Sequence, residues 1–202
     1  EGVREALLQL RETPSLSIPY AFGFADRLTA GFFALVGTLY FRTEFGLSPG
    51  ATGLTLALFF APFALLQYPF GRLSDRIGRT VPIVAGSAVY GIAVLSVGAA
   101  STLLGARVGM VAVGILGALM SPATMALVVD LAPTDRRGVA VAGFNAAGSS
   151  GFLAGVVVGG LVADELGYWA AFGFAGGTEI LLAAVAIPAF LKLQASREKV
   201  FG

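Results

Sequence analysis

Asp26, Arg27 and Glu179 are ionisable side chains set inside stretches of otherwise apolar residues. Charges kept in such a setting are costly, and they commonly mark a solute path, an ion path or a proton relay. A carboxylate placed there is neutral, paired with a cation, or hydrated. The chain has no histidine, so a proton-coupled step within it would rest on Asp26 or Glu179. Asp26 and Arg27 are neighbours and point about 100° apart on a helix, too far apart for one narrow face. One is expected to line a cavity while the other reaches a neighbouring helix or snorkels toward headgroups. The competing reading is structural: a snorkelling arginine paired with its aspartate, and Glu179 hydrogen-bonded to a neighbour in the bundle. Gln67, Tyr68 and Asn145 are neutral polar candidates for the same path, whereas Tyr40, Tyr168 and Trp169 suit an interfacial belt. The sixteen phenylalanines are expected in packing or facing lipid, with no site among them. Arg107, near one end of its apolar stretch, can snorkel. With neither cysteine nor histidine, the chain offers no thiolate or imidazole metal site and no evident catalytic triad. The expectation is therefore no enzyme, no cofactor and no metal, and a net charge of +1 gives no reason to expect nucleic acid.

The elements that must position these residues are apolar runs over about 20–41, 51–70, 80–100, 103–129, 139–163 and 168–191. A bilayer crossing takes about 20 residues, so six of them occupy nearly all of a 202-residue chain. Charged residues make up 12% of the chain, roughly half the share in a soluble domain. Most of the 28 glycines fall inside these runs, where small residues let helices approach closely in lipid. The fold class is an all-α membrane protein, a six-helix transmembrane bundle over 19–191. Before it, residues 1–18 hold a charged start too polar for a signal h-region, with Val3, Leu7, Leu8 and Leu10 at helical spacing. After it, residues 192–202 form a basic tail.

Basic residues alternate between the two sets of flanks. Arg4, Arg11, Arg72, Arg76, Arg79, Arg136, Arg137, Lys192, Arg197 and Lys199 fall on one side, ten in all, and only Arg42 falls on the other. By the positive-inside rule both termini are cytoplasmic, as an even number of spans requires. Between the second and third spans stands Gly71-x-x-x-Asp75-Arg76-x-Gly78-Arg79. Gly71 permits close helix contact, Asp75 can accept from a helix start or pair with an arginine, and Arg76 and Arg79 can hold the turn against carboxylates and lipid phosphates.

This spacing resembles the loop signature of the major facilitator superfamily, all five positions being present. Pro122, Asp130-Leu131-Ala132-Pro133 and Arg136-Arg137-Gly138 resemble that family's connection between the fourth and fifth helices. A glycine-rich fifth span, Gly143 through Gly160, extends the resemblance over essentially the whole chain. Two features depart from the family's antiporters: Gly155 is followed by Val156, not proline, and Arg107 lies about one turn early. Both weaken a multidrug-antiporter assignment.

The resemblance implies half of a twelve-helix secondary carrier that moves a small solute by alternating access, with protons as the candidate coupling ion. A non-transporting scaffold or receptor of the same fold is the alternative. The amphipathic start followed by Pro14 looks like the linker into a second half, so the C-terminal half is expected. Its expected partners are a second six-helix bundle, in the same protein or another chain, a small solute and the lipid bilayer of the cell membrane. Gly71, Asp75, Arg76, Gly78, Arg79, Asp130, Arg136 and Arg137 are then a gating loop region. Asp75 is expected to meet a helix start in the other bundle. The ten-to-one charge split predicts the labelling of single cysteines in intact cells. Ser48→Cys and Glu165→Cys should react from outside and Thr134→Cys from inside, and labelling of Thr134→Cys from outside would reverse the orientation.

Overall fold

The computed structural model describes the backbone of residues 2–201 and the side chains of Glu5 and residues 8–192. Helix α1 (Gly2–Glu12) leads through a 3-10 turn, Pro14–Leu16, into the first span. That span is α2 (Ser17–Phe32), a π-helical turn over Phe33–Gly37, and α3 (Thr38–Glu44) in one continuous run. Then follow α4 (Pro49–Ile77), α5 (Thr80–Gly98), α6 (Leu103–Leu131) and α7 (Arg137–Phe201).

Local chemistry places the ends. Ser48 caps α4 by accepting from Ala51 N at 3.3 Å, with Pro49 in the first turn, where its missing N–H is no loss. Thr102 caps α6 in the same way through Gly105 N at 3.2 Å. Gly78 ends α4 with φ 87°, a conformation that side chains on a β-carbon disfavour. Gly167, at φ 84° and ψ 171°, breaks α7 into two arms. Phe144 on the first arm packs against Tyr20 and Gly23, and Gly159 meets Phe32 and Val36. Beyond Gly167, Tyr168 and Phe172 sit on Tyr40, and Phe190 returns to Phe22. The arms therefore run in opposite directions along the first span, and the five long apolar stretches make six crossings, as the hydropathy predicts.

Backbone contact sets the pairing of spans. A β-carbon on Gly155 would lie 1.9 Å from the Leu28 carbonyl oxygen, one on Gly151 2.1 Å from that of Phe24, and one on Gly31 2.0 Å from that of Phe152. The first and fifth spans thus touch backbone to backbone over two turns. The third and sixth do so at Gly91 and Gly176, where the added carbons would lie 2.4 and 2.6 Å from carbonyl oxygens across the contact. The second and fourth meet at Gly114, whose added carbon would lie 2.3 Å from Phe59 O. Around these contacts, Phe32, Phe33, Tyr40 and Phe172 pack edge to face, and the Tyr40 hydroxyl donates to Val97 O at 3.1 Å. Near the Arg-rich end, the Tyr20 hydroxyl donates to Ala140 O at 2.7 Å.

Helix α1 is joined to that end by Gln9, which donates to Arg136 O at 3.4 Å, and by a Glu12–Arg136 ion pair. The backbone of α7 stays helical to Phe201, so residues expected as a tail extend the sixth span's helix. The side chains of Val3 and Leu7 and those after Lys192 lie outside the described residues. Gly155→Val in the intact protein should lower its thermal unfolding midpoint in detergent. The obstacle is backbone, which cannot swing aside, and overpacking typically costs about 1–3 kcal/mol. Gly173→Ala, whose added carbon meets nothing within 4 Å, should cost nothing.

Candidate solute pathway

The glycine face of the first span is spent on the fifth span. Asp26, Ala30, Phe33 and Ala34 recur at helical spacing on another face and border a cavity of about 390 Å³. Its remaining walls are Leu56, Phe59, Phe60 and Phe63 from α4, Tyr90 from α5, Met110 and Ser121 from α6, and Phe152 from α7. Asp26 is half-buried at this cavity and Arg27 is exposed beside it. Both border the cavity, which corrects the expectation that only one of them would. An angle of 100° excludes a shared narrow face, whereas this space is bordered by every crossing but the sixth and is wider than that. Arg27 also touches its neighbouring helix, since a β-carbon on Gly148 would lie 3.1 Å from its Cγ.

Glu179 lies elsewhere. It is fully buried between the third and sixth spans and is not part of the cavity wall. The Ser87 hydroxyl donates to its Oε2, and also lies 3.4 Å from its carbonyl oxygen. Oε1 is buried without a hydrogen-bond partner among the described residues. The bundle-neighbour hydrogen bond weighed for Glu179 is thus present in the fold. Gln67, Tyr68 and Asn145 are exposed and stand outside the cavity wall. Tyr68 carries the Arg72 guanidinium 5.8 Å from its ring centroid. Arg107 donates to Thr55 Oγ1 at 3.2 Å, tying the second and fourth spans together near the end opposite the Arg-rich loops.

Six aromatic residues on this wall were not singled out from sequence: Phe33, Phe59, Phe60, Phe63, Tyr90 and Phe152. The available signal was the closeness of Phe59, Phe60 and Phe63 around Pro62, but apolar residues facing a cavity and facing lipid read alike in a sequence. Ser121, beside Pro122, was missed for the opposite reason, being a lone small polar residue.

At the Arg-rich end, Arg79 is the hub of the loop. Its Nη1 donates to Asp75 Oδ1 at 2.5 Å and to Ser74 Oγ at 2.8 Å, and its Nε donates to Asp130 Oδ2 at 3.3 Å. Burial opposes the charge, but the bonds to Asp75 and Asp130 outweigh it and hold the guanidinium above its ordinary value. The loop after α4 is thereby fastened to the end of α6. Gly71 lies against Pro122, 3.8 Å separating its added β-carbon from that ring. Arg136 pairs with Glu12, while Arg76 and Arg137 are exposed. Asp75 remains mostly exposed despite its bond to Arg79.

The family model of the Major Facilitator Superfamily matches residues 20–201. The chain belongs to the major facilitator superfamily. An uncharacterized MFS-type transporter of Methanocaldococcus jannaschii is 34% identical over 175 residues, 85% of this chain and 43% of that protein. The inner membrane transport protein YajR of Escherichia coli is 31% identical over 150 residues, 74% of this chain and 33% of that protein. The multidrug resistance protein MdtG of Serratia proteamaculans is 32% identical over 117 residues, 57% of this chain and 28% of that protein. The chain thus spans less than half the length of the curated relatives it matches. Membership in a family of transporters supports a transport role and suggests that the chain is not an enzyme.

Proposed function

We propose that this chain is one half of a secondary carrier, which works with a second six-helix bundle to move a small solute by alternating access. The observation that carries the reading is the cavity beside the first span, with Asp26 and Arg27 on its wall. Support for the partner comes from α4, which leaves Leu54, Phe60, Leu65 and Tyr68 mostly exposed. The relatives' additional length is enough for another bundle. Alternating access requires two bundles rocking about a site between them, so both halves share the path. In this reading the carrier lies in the cell membrane, with both termini cytoplasmic and the Arg79 cluster at the cytoplasmic end. That cluster closes or opens with the inner gate, and Asp75 turns toward a helix start of the other bundle.

Asp26 is the coupling residue of this half. It meets the cavity, whereas Glu179 is sealed between two spans behind it. A carboxylate at a cavity that alternately wets and closes is placed to take up and release a proton as its surroundings change. A structural pair would instead hold one charge state throughout. The complete protein carrying Asp26→Asn, checked for insertion and folding, should lose net uphill transport in vesicles while exchange of solute survives. Unchanged uphill transport with an unchanged pH profile would exclude proton coupling through Asp26.

A further inference from the structure

Arg27 makes no ion pair among the described residues, although Asp26 is its chain neighbour. Its stem is held against Gly148, and the residue borders the cavity. The part of the wall that α4 supplies is mostly aromatic. Phe59 and Phe63, one helical turn apart, are stacked with centroids 5.0 Å apart and planes at 23°. Phe60 stands edge-on to Phe59 at 83°. These three rings line the same cavity that Arg27 borders, and they present it with an aromatic wall of ring edges and outer ring faces. A guanidinium is a permanent planar cation whose donors match a carboxylate in a two-point fork. Aromatic rings take another planar ring in offset-stacked or edge-to-face contact. The volume, about 390 Å³ on this side alone, lies in the range of small-molecule sites.

We infer that the solute is a planar aromatic anion, its carboxylate held by Arg27 and its ring lying against the Phe59–Phe63 wall. The inference rests on the cavity being the solute path. Under that reading Asp26 serves the exchange of protons, which leaves Arg27 for the charge of the solute. An aromatic cation would instead seek Asp26 and leave the guanidinium beside it uncompensated.

The test uses the complete carrier with Ala30→Cys as its only cysteine, since Ala30 is exposed on the cavity wall. The rate of its modification by a charged, water-soluble methanethiosulfonate is followed with 2-naphthoate, 2-naphthylmethylamine or cyclohexanecarboxylate present. 2-Naphthoate should protect the cysteine at concentrations about tenfold or more below those of the amine or the non-aromatic acid. Adding Arg27→Gln should weaken that protection by about tenfold or more, and Arg27→Lys, which keeps the charge but not the fork, should weaken it less. Protection by the amine equal to that by naphthoate, or protection unaffected by Arg27→Gln, overturns the anion assignment while the pathway stands. A cysteine at Ala30 that never reacts overturns the pathway itself, and the inference with it.

Discussion

In lipid, apolar side chains gain nothing by leaving one another's company, so helices must be held together by close packing and by hydrogen bonds across the contact. This chain meets that constraint with backbone on backbone. Gly31, Gly151 and Gly155 bring the first and fifth spans so near that their carbonyl oxygens occupy the places of missing β-carbons. Gly91 and Gly176 do the same for the third and sixth spans, and Gly114 for the second and fourth. Dispersion over such a contact is collectively large, and there is no side chain whose rotation would loosen it. The other features of the bundle follow from where these seams lie.

With one face of the first span committed to the fifth, Asp26 and Arg27 are turned to the space bounded by α4, α5 and α6. The seams are tight along their glycines, so the free volume collects between pairs of spans. The second and fourth spans are fastened by Arg107 to Thr55 and by Gly114 to Phe59, and the loop after the second span is fastened to the fourth by Arg79 and Asp130. The Arg79 hub joins loop to helix with charge-assisted bonds at the bundle's edge, where water and salt weaken such bonds and make them reversible. Packed seams inside and a polar fastening at the rim suit a body that moves as a unit and latches at one end.

Much of this was legible in residue types and spacing. Six apolar runs gave six crossings because each run is long enough to span and each ends in a cap, a glycine or a charged turn. The reversal at Gly167 follows the same logic, since a straight helix through 137–201 would far exceed a bilayer. Loop chemistry was legible too: Asp75 with Arg79 is an i, i+4 pair, visible in the motif itself. What escaped was facing. Gln67, Tyr68 and Asn145 are polar in apolar surroundings and stand on exposed surface outside this cavity's wall, and polarity alone does not separate a cavity wall from the outer surface of a bundle. The phenylalanines on α4 read in sequence as packing or lipid-facing residues, since their role depends on which neighbour lies opposite. Asp26 and Arg27 were read as rivals for one face, because the breadth of the cavity is a property of several helices and not of one.

Under the proposed alternating access, glycine seams that make this bundle a rigid body keep the distances within it constant while it moves against a second bundle. Spin labels on the exposed positions Leu35 and Val157 would report the seam between the first and fifth spans, and labels on Val89 and Leu181 that between the third and sixth. Pulsed electron resonance on the complete carrier, with its two access states populated in turn, should show both distances unchanged. A third pair, with one label in the complementary half, should shift between the states. Distances inside this half that shift as much as those between the halves would contradict the account.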